Sequence, residues 1–431
     1  MSTLRLRTAA WYGDFPVDIM VPDSWQLTVC GAQTGPALTD AQIIERFEAP
    51  AAQSPIRELA RGKTRPVIMV DDLNRPTPAA RVMPAILDQL RDAGIPAREV
   101  TAVMAPGTHG APRPDAMAKK VGAEAAATCR LAVHHSNRNL VPLGRTSFGT
   151  PVMINRQVAE SDLLIGVGGV YPNWTAGFGG GAKLALGVLG FETIAALHLG
   201  HQSMGWGTPN SRSDFRRDLD EIARMIGLRT SVSLVVNGDR EVVEVFCGDT
   251  WVSHSSAERL VCEGFRAPAP PDDADVVVAN AYPNDLSLTF VRMKAMHPVT
   301  AARAHTSRVV IASCSEGTGF HGLFPMMNAS REHRQRLTAL KARILLRRPH
   351  LLMPKVLRRV SRPLGRRAPV EGKPAWLYRP APPDGPALPR HVAGINVTSS
   401  WTEVVDAVRR EQGERQLRVV VYPYAPLQWL G

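Results

Sequence analysis

Residues 162–201, DLLIGVGGVYPNWTAGFGGGAKLALGVLGFETIAALHLGH, pass from an apolar run into a glycine-dense loop and then into a helical pattern. Leu163, Leu164, Ile165 and Val167 read as a buried strand, and a helix is predicted to start near Gly181 and to carry Lys183, His198 and His201. Gly177, Gly179, Gly180 and Gly181 let the backbone approach a ligand closely, and the amides at the following helix start favour an anion. One lysine is thereby set beside an anion site. The same glycines also serve a chain that merely turns from strand to helix, and the known glycine signatures do not decide between the two. A P-loop needs Gly-Lys followed by Ser or Thr, whereas Ala182-Lys183-Leu184 stands here, and Gly166-Val167-Gly168 lacks the third glycine of the dinucleotide fingerprint.

The sequence before this stretch repeats its logic. A buried strand at Val67–Val70 leads into the loop Asp71–Thr77 and a helix from about Ala79 to Ala93, closed by Gly94 and Pro96. A second strand, Val100–Met104, runs into Pro106-Gly107-Thr108-His109, and a third covers Arg130–His134. In open α/β sheets ligands bind beyond the carboxyl ends of the strands, so Asp72, Arg75 and His109 are expected to converge with the glycine loop. Further upstream, Leu4–Leu27 alternates around Gly13-Asp14 as a hairpin lying against the first domain, and residues 38–60 look helical, with Ile43, Ile44 and Phe47 on one face.

Downstream come a helix at Ser213–Ile226, a strand pair around Asn237-Gly238-Asp239, and a helix from Trp251 to Phe265. Residues 267–273, APAPPDD, form a rigid polar linker and the best domain boundary. The pattern then restarts with the strand Val276–Ala279, the loop Tyr282–Asp285 and a helix through Lys294 and Ala295. Strands at Val309–Ala312 and Leu417–Val421 and a helix at Trp401–Arg410 follow. The expected fold class is therefore α/β: an N-terminal α/β domain over 1–266, the linker 267–273, a C-terminal α/β domain over 274–431, and a ligand cleft between them.

Composition narrows the function classes. A chain of 431 residues with 44% hydrophobic and 21% charged side chains has ample length for two cores. No apolar run reaches a membrane span and the first residues lack the apolar centre of a secretory signal, so a cytoplasmic protein without a membrane partner is expected. The five cysteines, Cys30, Cys129, Cys247, Cys262 and Cys314, are widely separated, which argues against a disulfide framework and a zinc cage. The net charge of +12 is concentrated: Arg331–Arg367 holds thirteen Lys or Arg and one Glu, leaving 38 basic and 38 acidic residues elsewhere. Leu337, Leu340 and Ile344, then Val356, Leu357 and Val360, keep helical spacing in that segment, which reads as a basic helical insertion packed on its own domain. Nucleic acid is not an expected partner, because the segment has no aromatic other than His333 and His350.

The order Tyr171-Pro172, Ala176-Gly177-Phe178, Gly180-Gly181-Ala182-Lys183, Thr193-Ile194 and His198 resembles the signature of the nickel-dependent lactate racemase family. Asp71-Asp72-Leu73-Asn74-Arg75-Pro76-Thr77-Pro78 and Gly107-Thr108-His109 fit the same family, with weaker likeness at Pro283-Asn284-Asp285, Lys294 and Cys314-Ser315-Glu316-Gly317. The resemblance implies a nickel pincer nucleotide, a pyridinium-derived mononucleotide with sulfur arms gripping Ni, tethered to Lys183 and built by separate maturation enzymes. It implies that His198 supplies a nitrogen to nickel, a ligand suited to Ni(II). Gly180, Gly181, Asp72 and Arg75 fall at cofactor-binding positions, and Lys294 at the position that holds the carboxylate of a 2-hydroxy acid substrate.

The family reaction moves the carbon-bound hydrogen as hydride while a histidine takes the hydroxyl proton, and two histidines serve the two faces. His109 occupies the first position and Asn173 stands at the second. Asparagine hydrogen-bonds but does not shuttle a proton near neutral pH. The implied activity is therefore a lactate racemase-like racemase or epimerase of a 2-hydroxy acid other than lactate, and at Asn173 three outcomes are open: His135, His305 or His321 reaches in, the substrate supplies its own acid or base, or the two directions become very unequal. Two alternatives stay open: an enzyme that retains the cofactor for a one-sided redox or isomerisation step, and a non-catalytic homologue that binds a nucleotide.

Overall fold

The structure is a computed structural model that describes residues 2–32, 34–208, 213–325, 327–328, 372–380 and 385–431. The fold is α/β and is built on two mainly parallel sheets. The first sheet has the order Val242–Asp249, Thr230–Val236, Leu163–Gly169, Pro66–Asp71, Thr101–Ala105, Arg130–Val133, and only its first pair is antiparallel. The second has the order His391–Val392, Ile395–Thr398, Ala375–Tyr378, Ser307–Ile311, Val276–Asn280, Leu417–Tyr422, Trp25–Val29, again with one antiparallel pair at its edge.

The central strands Pro66–Asp71, Val276–Asn280 and Ser307–Ile311 are buried at every residue because both faces of each sheet are covered. Ile68 and Val70 point into one core and Val67 and Met69 into another, as the two-residue period of a strand dictates. In the second sheet Val277 and Ala279 face one core while Val276 and Val278 face the other. No helix among the described residues is long and apolar enough to cross a membrane.

Three local expectations need correction. The hairpin forms, pairing Ser2–Thr8 with Phe15–Val21, but Leu6, Ile19 and Val21 pack on the second sheet beside Val276, Val278 and Val309 rather than on the first. The buried Asp285 carboxylate fastens it there by accepting from Thr8 Oγ1 at 2.9 Å and from the amides of Ala9 and Ala10 at 2.7 and 3.0 Å. Residues 38–60 are two helices, Asp40–Glu48 and Ile56–Leu59, since Pro50 and Pro55 interrupt the ladder, and Ile44 is exposed. The helix expected from Gly181 is also two pieces, a 3₁₀ stretch over Gly181–Val188 and an α-helix over Phe191–Gly200. The first piece lies so tightly on the end of Thr101–Ala105 that a Cβ at Gly187 would sit 2.3 Å from the Ala105 carbonyl oxygen. The basic segment 331–367 lies outside the described residues.

Candidate functional site

Three loops leave the carboxyl ends of adjacent strands in the first sheet. Asp71–Pro78 follows Pro66–Asp71, Pro106–His109 follows Thr101–Ala105, and the glycine loop follows Leu163–Gly169. With the helix Leu288–Lys294 and the Phe320–Phe324 region they enclose a cavity of about 880 Å³. Asn284 Nδ2 donates to the Asn74 carbonyl at 2.8 Å, which pins the loop of the second sheet to the Asp72–Arg75 loop. Asp72, Arg75, His109, Asn173, Gly180, Lys183, His198 and Lys294 all line this one cavity, and Gly181 does not.

Gly180 and Gly181 make the approach possible. Both have positive φ, +77° and +56°. A Cβ at Gly180 would meet Val170 Cγ2 at 2.7 Å, and one at Gly181 would meet the His254 ring at 2.7 Å. The loop is thus pressed down on His254, whose Nε2 donates to the Gly179 carbonyl at 2.9 Å while Nδ1 accepts from Arg216 at 3.1 Å. This compression leaves Lys183 at the wall with no hydrogen-bond partner for Nζ among the described residues. Loss of hydration, with the Arg75 and Arg216 cations nearby, pushes Lys183 down to about 7, so much of it is a neutral, nucleophilic amine near neutral pH.

His198 Nδ1 donates to the Ile194 carbonyl at 2.8 Å, leaving Nε2 as the bare nitrogen. Burial pushes it down to about 4, and it is neutral where a metal ligand must be. His109 Nδ1 lies 2.8 Å from Asp72 Oδ2, and its ring stands edge-on to Phe290 at 4.8 Å. Burial outweighs the Asp72 carboxylate and lowers His109, whereas burial of Asp72 is outweighed by His109, Arg75 and Asn74, which hold its carboxyl well below the usual range. The pair is therefore a neutral imidazole whose tautomer is set by an ionised carboxylate. Lys294 is buried and also lowered, chiefly by desolvation. With Arg75 it makes this wall attractive to an oxyanion.

Asn173 Oδ1 accepts from the amides of Thr175 and Ala176 at 3.0 and 3.2 Å, so the side chain closes its own turn and leaves only Nδ2 to face a ligand. Of the three replacement histidines, His135 and His305 are exposed, while His321 lines the cavity with its ring centroid 5.1 Å from that of His109. Burial, with the neighbouring His109, Arg75 and His198, pushes His321 down to about 2. Its Nδ1 has no hydrogen-bond partner among the described residues. His201 is not part of the lining and pairs instead with Asp218 at 2.7 Å.

Trp206 and His297, stacked at 4.9 Å, also line the cavity without having been singled out. The signal for His321 was present in Gly319-Phe320-His321-Gly322, a glycine-flanked histidine after a strand like that of His109. For Trp206, the flanking Gly205 and Gly207 were the only local hint. No group of three His, Cys, Asp or Glu among the described residues could hold a metal ion by itself.

Residues 12–207 match the family described as the lactate racemase N-terminal domain. The chain is 27% identical over 301 residues to a lactate racemase of Lactiplantibacillus plantarum, covering 67% of this chain and 69% of that one. It is 26% identical over 305 residues to a lactate racemase of Thermoanaerobacterium thermosaccharolyticum, covering 68% and 71%. The fold is like that of the lactate racemase apoprotein from T. thermosaccharolyticum, with a TM-score of 0.71 at 20% identity over 100% of both chains. It is also like that of a Thermotoga maritima protein, with a TM-score of 0.59 at 16% identity over 92% of this chain and 100% of the other. Residues 12–207 are therefore similar to the lactate racemase N-terminal domain, and the chain resembles lactate racemases in sequence and in fold.

Proposed function

We propose that this protein is a nickel pincer nucleotide-dependent racemase or epimerase of a 2-hydroxy acid. The observation that carries this reading is Lys183, an amine without a partner among the described residues, pushed down to about 7 and lining a cavity beside a glycine cradle that no side chain could occupy. The residues fit the group. Lys183 Nζ would tether it and His198 Nε2 would donate to nickel; a pincer that brings its own donors asks the protein for one nitrogen, and no three-residue cage is needed. When bound, the group supplies a hydride acceptor.

The remaining work falls to the chain. Lys294 and Arg75 hold the carboxylate. His109 takes the hydroxyl proton through its free Nε2, and Asp72 fixes the opposite N–H and stabilises the imidazolium that results. Asn173 donates through Nδ2 to a substrate oxygen, and His321 stands beside His109 on the first face rather than across from it. Placement at the junction of loops from both sheets excludes water from the reacting carbon.

Intact-mass analysis of full-length protein co-expressed with the maturation enzymes tests the assignment. A nucleotide-sized adduct is expected on the wild type and none on Lys183→Ala. An adduct that survives the substitution, or no adduct after competent maturation, sinks it.

A further inference from the structure

We infer that the substrate carries an aromatic or comparably bulky apolar group on its α-carbon, seated against Trp206 and Trp174. This rests on the reading of Lys294 as the carboxylate holder. Lys294 Nζ lies 5.4 Å from the centroid of Trp206 and 5.8 Å from that of Tyr171. A carboxylate bound at that ammonium brings its α-substituent alongside the indole.

The wall is built rather than incidental. Met204 N donates to the Thr175 carbonyl at 3.2 Å, Gly205 N to the Trp174 carbonyl at 2.9 Å, and Gly207 N to the Gly177 carbonyl at 3.2 Å, so the two tryptophan loops are laced together. Gly207 has φ +60° and sits so close to Trp429 that a Cβ would fall 2.5 Å from it, which fixes the turn after Trp206. His297 backs the Trp206 ring. Met293 and Met296 continue the surface with thioethers that adapt to a ring. Toward the mouth, Trp174 is 55% and Phe324 42% exposed, apolar area that the methyl group of lactate is too short to cover. The four side chains Trp174, Trp206, Met293 and Met296 offer no charge to a second carboxylate.

Isothermal titration calorimetry of the full-length matured protein tests this, with racemic 3-phenyllactate and racemic lactate as the two probes, since a racemate undergoes no net conversion. Burial of the phenyl ring predicts binding roughly tenfold to a hundredfold tighter than that of lactate. Trp206→Ala should bring 3-phenyllactate down to the affinity of lactate. Trp174→Ala, at a half-exposed position that the fold tolerates, should remove part of the preference. Equal affinities, tighter binding of lactate, or a preference that survives both truncations overturns the inference. Lys294→Met separates this failure from failure of the site itself. If lactate binding is lost with Lys294 while no preference exists, only the substrate class is wrong. If neither acid binds, or both bind regardless of Lys294, the carboxylate site falls and the substrate class falls with it.

Discussion

Asp71 and Asp72 are consecutive, both buried, and hold different partners. Asp71 accepts from Lys120 Nζ at 2.8 Å, Thr77 Oγ1 at 2.8 Å and Gly169 N at 3.3 Å, and Lys120 spends its other bonds on the carbonyls of Thr77 and Arg75 at 2.9 and 3.2 Å. Trp11 caps that ammonium at 4.5 Å. On this side donors and acceptors are matched. On the other side Asp72 holds His109, but beyond it stand Lys183 Nζ without a partner and His198 with one bare nitrogen. Saturated polar groups hold a loop in place, and unsaturated ones around a cavity wait for a ligand.

The largest test of that division is catalytic. In loaded enzyme, His109→Gln is expected to lower kcat by about 10²–10⁴-fold while leaving the unfolding midpoint near that of the wild type. A variant that unfolds but turns over normally when folded would falsify the division. Next comes Lys120→Met, which strands the Asp71 carboxylate without its cation. Urea denaturation should show a loss of about 3–5 kcal/mol, the usual result of removing one partner from a buried pair. Should stability hold while activity vanishes, Lys120 belongs with the cavity groups and not with the scaffold.

A smaller effect is expected at Asn173. Introducing histidine restores a titratable group on the second face, so Asn173→His should raise lactate racemisation by about one to two orders of magnitude, followed by polarimetry. Efficient lactate racemisation by the wild type would remove the need for a titratable group at this position.

A gradual effect is expected as a slope in stability against pH. Lys183 titrates near 7 in the fold against 10.5 for a free lysine. Above 10.5 the amine is neutral in both states and contributes nothing. As the pH falls toward 7, only the unfolded chain takes the proton, so stability falls by at most about 1.4 kcal/mol per pH unit. Below 7 both states hold the proton and the loss is constant. Lys183→Met should flatten this part of the curve, and Lys120→Met should not reproduce that flattening through Lys183.

Much of this division was readable before any coordinates. The strands around Ile68, Val103 and Ile165 announce themselves as short apolar runs, and the loops after them carry Asp72, His109 and Lys183 for the reason that strand ends form crevices. The scaffold side was not readable. Lys120 follows Lys119 in the short helix Ala116–Val121, and no local pattern distinguishes the buried one from its half-buried neighbour. The break at Leu189-Gly190 was hidden because the apolar spacing continues across it, and its cause, Gly187 against Ala105, is a contact between distant segments. Trp206 and His297 were missed for the same reason, since a cavity wall assembled from several loops leaves no periodic trace in any one of them.

The strand Trp25–Val29 pairs in parallel with Leu417–Tyr422 at the edge of the second sheet. That pairing joins segments near opposite ends of the sequence and carries the largest loop-closure penalty in the sheet, so it is expected to form late in folding. The first sheet draws its strands from one continuous stretch and can assemble before the rest of the chain has been synthesised. During that interval Trp25–Val29 lacks its neighbour in the sheet, which leaves its backbone edge open to misassembly and proteolysis.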